Sequence, residues 1–211
     1  MNKLIKQQVK IEIDRLCLEC MNMFIKAYQI VYSTNIFQDS WDEDDYTAHL
    51  TCYLEDIRKE NQWFIAPQKP HFSDSHYWGK TKAKKAPRPD LYFEKYLTFS
   101  SKEIFNFTIE AKIIKHDDSD LKGRYIDTGI DNFISERYPK GCIAAYVVKG
   151  TENDCANSIN SLLIKRNRGN EKLTKQLFLE KFEFTYSSVH ENGSNIIELK
   201  HLFLNFITNK N

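Results

Sequence analysis

The sequence predicts an α/β domain with a mixed central sheet that is flanked by helices. Amphipathic helical segments come first, apolar strand-like runs alternate with helical segments in the middle, and a hairpin pattern closes the chain. The 211 residues are enough for one such domain with a helical appendage. We expect residues 1–38 to form an N-terminal helical extension that packs on the core, and residues 39–211 to form the domain.

The first half of the chain favours two helices and a short strand. Apolar residues recur at helical spacing over residues 3–31 and again over residues 41–60. Asp39 or Ser40 can cap the second helix, whose first turn is acidic, as the helix dipole favours. A short apolar run at residues 63–66 predicts a strand, closed by Pro67.

Glu43 is the acidic residue of the second helix that most nearly follows its apolar stripe. The stripe consists of Tyr46, Leu50, Tyr53, Leu54 and Ile57. Stepping back from it by three or four residues leads to Glu43 and Asp42, and of these Glu43 is expected to face inward. A plain role in the acidic first turn is the equally weighted alternative.

The second half of the chain predicts a sheet with two more helices. Cys142–Val148 is an almost unbroken apolar run, as in a buried central strand. Asn192-Gly193 is a hairpin turn signal. The expected elements are strands at 91–93, 104–114 and 142–148, helices at 123–137 and from Thr151 or Asn153 to 166, and hairpin strands at 182–189 and 196–206.

Pro89-Asp90 and Glu110-Ala111-Lys112 form the chemical centre of the sequence. Along a strand, Thr108, Glu110 and Lys112 share one face, while Phe107, Ile109 and Ala111 share the other. Burying a carboxylate and an ammonium costs free energy unless a metal or a partner compensates. The pattern therefore indicates a site, although an ordinary strand-to-strand ion pair is the alternative.

A second Glu-x-Lys occurs at Glu198-Leu199-Lys200 in the final hairpin. The chain contains Pro-Asp only at residues 89–90, so the second copy has no such partner nearby. It also falls outside the helix–strand order of the first. We interpret it as a chance match.

Asp90, Glu110 and Lys112, with the order helix, three strands, helix and strand over residues 40–150, resemble the PD-(D/E)xK phosphodiesterase superfamily. The resemblance implies a restriction-endonuclease-like αβββαβ core, extended by the N-terminal helix and the C-terminal β-hairpin. It implies that Asp90, Glu110 and the main-chain carbonyl of Ala111 bind Mg²⁺, with Mn²⁺ as a substitute. By the same resemblance, Lys112 orients or activates the attacking water, and Glu43 joins the catalytic set.

The function implied by this resemblance is Mg²⁺-dependent hydrolysis of DNA. The chain would be an endonuclease, as the nuclease subunit of a restriction or anti-phage defence system. The alternative is a non-catalytic DNA-binding or assembly module on the same fold. No glycine-rich phosphate loop occurs, so an ATPase or sensor would be a larger partner protein. The sequence is also compatible with a homo-oligomer.

The net charge and the cysteines indicate what kind of surface the protein has and in which compartment it resides. With 30 Lys and Arg against 29 Asp and Glu, a net charge of +1 argues against a large nucleic-acid-coating surface. Five cysteines suggest buried free thiols in a reducing compartment, and no apolar run suits a membrane span, so we expect a cytoplasmic protein.

The expected DNA contacts are a local cluster: Lys80, Lys82, Lys84, Lys85, Arg88 and Arg124. A solvated loop is the alternative for the lysines.

Replacing Lys80, Lys82, Lys84 and Lys85 together with alanine should weaken DNA binding equally for all sequences. Each lost phosphate contact should reduce the slope of log affinity against log salt by about one. Fluorescence anisotropy over a salt series measures this slope. An unchanged slope would place the DNA path elsewhere on the protein.

Overall fold

Seven strands form one mixed sheet between two helical layers in the computed structural model, which describes residues 3–61, 63–68, 88–97 and 100–207. This confirms the predicted α/β class with a mixed, helix-flanked sheet. The helices are α1 (Lys3–Thr34), α2 (Glu43–Asn61), α3 (Ser119–Ile134) and α4 (Glu152–Lys165). α3 consists of three consecutive pieces: an α-helical turn Ser119–Arg124, a π-helical turn Tyr125–Ile130 and a short α-helical turn Asp131–Ile134. The strands are β1 (Phe64–Pro67), β2 (Leu91–Leu97), β3 (Ser100–Lys115), β4 (Gly141–Lys149), β5 (Thr174–Lys175), β6 (Thr185–Asn192) and β7 (Asn195–Asn205).

The sheet order is β1-β2-β3-β4-β7-β6-β5. β3, β4 and β7 run parallel in the centre, and antiparallel strands lie on both sides. β3 and β4 approach closely at Gly141, where an added Cβ would lie 2.0 Å from the Thr108 carbonyl oxygen. Only glycine fits there without moving the backbone.

The two faces of the sheet pack against different helices. Phe107, Ile109 and Ala111 of β3 belong to the core that includes α1 and α2. Ile114 of β3 belongs to the opposite core, which includes α3 and α4. The alternation predicted for this strand is therefore confirmed. Buried side chains of α1 share the first core, and the boundary after residue 38 stays a prediction.

Two predicted helix starts are wrong. In each case an aspartate caps the helix at a residue that the prediction did not choose. α2 begins at Glu43 because Asp42 accepts a hydrogen bond from the Asp45 amide and Asp45 accepts one from the Asp42 amide, both at 3.0 Å. Asp39 and Ser40 do not serve as the cap. α3 begins at Ser119, four residues before the predicted 123, because Asp118 accepts from two amides of its first turn.

The end of α3 also differs from the prediction of 137. The helix stops at Ile134, and Glu136 adopts a φ of 57°, which does not continue a right-handed helix. Its middle is the π-helical turn, an uncommon form that often lies at functional sites. Nothing in the apolar spacing of this segment distinguishes a π-turn from an α-helix.

The C-terminal region contains more structure than the expected hairpin. The first hairpin strand begins at Thr185 and not at residue 182. A 3₁₀ turn, Gly169–Glu171, and the two-residue β5 precede it. β5 pairs with β6 as an edge strand, and two residues are too few for a period-two pattern to be recognised.

Three of the five cysteines are buried, and Cys17 is half-buried. The expectation of buried thiols is wrong for Cys52, which is exposed on α2. No helix in the described part of the chain is long and apolar enough to cross a membrane.

A chain of buried hydrogen bonds links α3 to the C-terminal strands. Its members follow one another in the order Tyr125, His201, Ser188, His190 and Glu171. The successive distances are 2.8, 2.7, 2.6 and 2.6 Å. Each polar group in this chain is therefore satisfied despite burial.

The ionisation state of Glu171 determines which group donates in each hydrogen bond of this chain. Burial opposes its ionisation, but hydrogen bonds from Arg168 and His190 outweigh burial and lower the pKa of Glu171. An ionised carboxylate only accepts, so Nδ1 of His190 donates to it. Burial lowers the pKa of His190, which favours the neutral ring, and Nε2 of a neutral ring with its proton on Nδ1 accepts from Ser188. By the same reasoning His201 donates to Ser188 through Nε2 and accepts from Tyr125 at Nδ1.

His201 should make the protein less stable in mild acid. Burial lowers the pKa of His201 to about 3, and His190 and Lys200 act in the same direction. The unfolded chain protonates this residue near pH 6.5, so the free energy of unfolding should fall as pH decreases below that value. The slope from this group approaches about 1.4 kcal/mol per pH unit. Urea denaturation at several pH values measures it.

His201→Gln should flatten this pH dependence, even though it removes hydrogen bonds and lowers stability at neutral pH. His49→Gln is the matched control, because His49 stacks on Trp41 near the surface and lies outside the buried chain. A His201→Gln variant with the wild-type slope would contradict the assignment.

Candidate active site

The site lies where β2 ceases to cover the edge of β3. The last pair between the two strands is Leu91 with Ile109. Beyond it, the Ala111 amide donates to Oδ2 of Asp90 at 2.7 Å, and the Ile113 amide donates to Oε2 of Glu43 at 3.1 Å. Two carboxylates thus replace the missing strand, since amides of alternate residues point to the same edge.

The Lys112 ammonium lies at the centre of these groups. Its Nζ donates to Oε1 of Glu110 at 2.9 Å, to Oε1 of Glu43 at 3.1 Å and to the Ala111 carbonyl oxygen at 2.5 Å. Oδ2 of Asp90 is 3.8 Å from the same nitrogen. The predicted convergence of Asp90, Glu110 and Lys112 is therefore confirmed, as is the inward orientation of Glu43.

Burial sets the electrostatics of this cluster. It raises the pKa of Asp90 to about 7, and the Glu110 charge adds to the effect while Lys112 opposes it. Burial likewise raises the pKa of Glu110, again against Lys112. For Lys112, burial disfavours the ammonium, but the three carboxylates outweigh it and raise the pKa. The carboxylates need a cation here, and Lys112 supplies one.

Lys112 contacts Oε1 of Glu110 and does not contact Oε2 of the same carboxylate. Oε2 is buried and makes no hydrogen bond of normal geometry within the described ranges, but the Tyr138 side chain interacts with the Glu110 carboxylate and favours its ionised form. A buried carboxylate oxygen without a well-formed hydrogen bond is costly, and carboxylate oxygens are the ligand type that Mg²⁺ prefers. Together with Asp90 and the Ala111 carbonyl, Oε2 is one of the oxygens that could hold a divalent cation. As they stand, however, no three or more His, Cys, Asp or Glu side chains of the described residues are grouped to hold a metal ion.

The other residues predicted to bind DNA fall in three places. Arg124, at the end of the first part of α3, is exposed, and its Nη2 lies 3.8 Å from Oε2 of Glu43. Arg88 is exposed two residues before Asp90. The four lysines lie outside the described residues: Lys80, Lys82, Lys84 and Lys85.

Sequence reasoning missed two buried residues that hold Glu43 in place. The Thr47 hydroxyl donates to the Glu43 carbonyl at 2.8 Å and lies 3.0 Å from the Tyr146 hydroxyl. Tyr146 belongs to β4, so this pair fixes the first turn of α2 to the central sheet. Thr47 stands four residues after Glu43, and this spacing is the signal that could have identified it.

The second Glu-x-Lys forms a different kind of pair. Lys200 Nζ lies 2.6 Å from Oε1 of Glu198 and 3.0 Å from the Gln176 side chain. The Glu198 side chain is 53% exposed, against 8% for Glu110. The same three-residue pattern therefore gives a surface ion pair here and a buried cluster at Lys112.

No family model matches this chain, and searches of curated proteins and of solved structures found no similar protein.

Lys112→Ala should lower the free energy of unfolding by about 3–5 kcal/mol, because it leaves buried carboxylates without their cation. Lys200→Ala, in the surface copy of the motif, should cost at most about 1 kcal/mol. Urea denaturation of both variants at neutral pH measures the difference. Equal losses would mean that the Lys112 cluster is no more than an ordinary surface pair.

Proposed function

We propose that the chain is a Mg²⁺-dependent phosphodiesterase that hydrolyses DNA. The observation that carries the proposal is the convergence of Asp90, Glu110 and Lys112 at the open edge of β3. The order α2-β1-β2-β3-α3-β4 supports a restriction-endonuclease-like αβββαβ core. On this proposal the protein is the nuclease subunit of a restriction or anti-phage defence system, with a larger ATPase or sensor as partner.

Each residue of the site has a distinct part in this chemistry. Asp90, Glu110 and the Ala111 carbonyl would hold Mg²⁺ or Mn²⁺. When bound, the metal would stabilise charge on the phosphate and lower the pKa of the attacking water. Lys112 would orient that water and stabilise the transition state. Glu43 holds both the lysine and the strand edge, so it is a positioning residue in this scheme.

Arg124 offers a route by which DNA phosphates reach the site. It is exposed beside Glu43, and its position at the edge of the cluster suits contact with a backbone phosphate. Arg88, exposed two residues before Asp90, would provide a further phosphate contact. The lysine cluster of residues 80–85 would extend this path.

A non-catalytic DNA-binding or assembly module is the second candidate. The observation in its favour is that the Lys112 ammonium already pairs with the carboxylates. Such a protein would bind DNA without a divalent cation, and Asp90 would then matter for folding only. Metal dependence therefore separates the two candidates.

Plasmid DNA should be nicked by the wild-type chain in Mg²⁺, and chelation with EDTA should stop the reaction. Asp90→Asn and Glu110→Gln should each reduce the rate at least ~100-fold, because each removes a charged ligand from the reacting centre. Gel electrophoresis of supercoiled plasmid measures nicking, and circular dichroism checks that the variants are folded.

Glu198→Gln is the matched control for Glu110→Gln, since it alters the other Glu-x-Lys and should leave nicking unchanged. Metal-independent DNA binding without nicking, in the wild type and in both site variants, would favour the non-catalytic module.

A further inference from the structure

The Lys112 ammonium lies against the same three groups that the proposed function assigns to the metal, although at Glu110 it contacts Oε1 and leaves Oε2. It lies 2.9 Å from Oε1 of Glu110, 2.5 Å from the Ala111 carbonyl oxygen and 3.8 Å from Oδ2 of Asp90. Its side chain is only 6% exposed. A lysine that only oriented water beside these ligands would not need to contact all three of them.

More carboxyl groups than cations surround this lysine. Three carboxylates, from Glu43, Asp90 and Glu110, face one buried ammonium, and Arg124 reaches them only from its exposed position at 3.8 Å. Oε2 of Glu110 also makes no hydrogen bond of normal geometry within the described residues, and the uncharged Tyr138 is the neighbour that interacts with this carboxylate besides the charged groups. The cluster therefore favours a cation of higher charge than the one it holds.

A glycine leaves a space about the size of a methyl group beside the stem of Lys112. Gly129, in the π-helical turn of α3, faces its stem: a Cβ there would lie 3.6 Å from Cγ of Lys112. Because Gly129 has no side chain, the space beside the stem stays free. Lysine also has a flexible four-carbon stem and rotatable donors, unlike the rigid fork of arginine.

We infer that Lys112 is a built-in competitor of the divalent cation, so that metal binding and release of its ammonium are one event. This inference rests on the metal site of the proposed function and concerns how that site is regulated. In the metal-free protein Lys112 neutralises Asp90 and Glu110. It becomes available to water and phosphate only when it gives up these oxygens. The site is thereby assembled in a fixed order, and its affinity for metal is lower than the carboxylates alone would give.

Metal titration of the full chain without DNA tests the inference. Isothermal titration calorimetry with Mg²⁺ alone, and with Ca²⁺ alone, compares chelator-treated wild type with Lys112→Met, a variant that keeps the length of the stem and removes its charge. The affinity should rise at least about tenfold, because a positive charge near the metal is removed. An equal or lower affinity overturns the inference.

A second pair of variants keeps the test valid if Lys112→Met does not fold. Glu43→Gln combined with Lys112→Met has the net charge of the wild type and leaves fewer unpaired carboxylates. Its affinity for metal should exceed that of Glu43→Gln alone by a similar factor. Lys200→Met is the matched control and should bind metal as the wild type does. No gain in this pair overturns the inference as well.

The outcomes separate this inference from the proposed function, since the titration contains no DNA. Metal binding that is unaffected by removal of the Lys112 charge overturns the competitor role and leaves Mg²⁺-dependent cleavage intact. Failure of every variant to bind either metal overturns both. A gain in affinity without DNA nicking by the wild type supports the competitor role and contradicts the nuclease.

Discussion

The burial of one ammonium among three carboxylates, at an uncovered strand edge, is the interaction on which the rest of the site depends. β2 pairs with β3 only as far as Ile109, so the amides of Ala111 and Ile113 need other acceptors. Asp90 and Glu43 satisfy them and then need a positive charge, which Lys112 supplies from between them. The same side chains thus satisfy the hydrogen bonds of the strand edge and pair with the buried ammonium.

The two helical layers keep this structure in place from opposite sides. α2 presents Glu43 because its first turn is capped by Asp42 and fixed to β4 through Thr47 and Tyr146. α3 packs on the other face of β3, where the π-helical turn places Gly129 against Lys112. The face that carries Glu110 and Lys112 is therefore covered by α3, while the edge beside it is closed by α2.

Local patterns predicted much of the fold, and long-range contacts explain the remainder. The period of two in β3 assigned Glu110 and Lys112 to one face, and helical spacing made Glu43 the inward acid. No local pattern reports that β2 stops short of Ala111, so the use of Glu43 as an acceptor for the Ile113 amide could not be foreseen. The two Glu-x-Lys copies make the same point, because only burial distinguishes Lys112 from Lys200.

The chain of hydrogen bonds from Tyr125 to Glu171 has a consequence for hydrogen exchange. Tyr125 donates at one end, Glu171 accepts at the other, and each member between them donates to one neighbour and accepts from the other, so no single hydrogen bond can reverse unless all of them do. Every group in the chain except Glu171 is almost fully buried. The Tyr125 hydroxyl hydrogen can then reach solvent only when β6 and β7 separate from α3. Its exchange with deuterium would therefore follow the opening of the C-terminal strands and not the local motion of the helix that carries it.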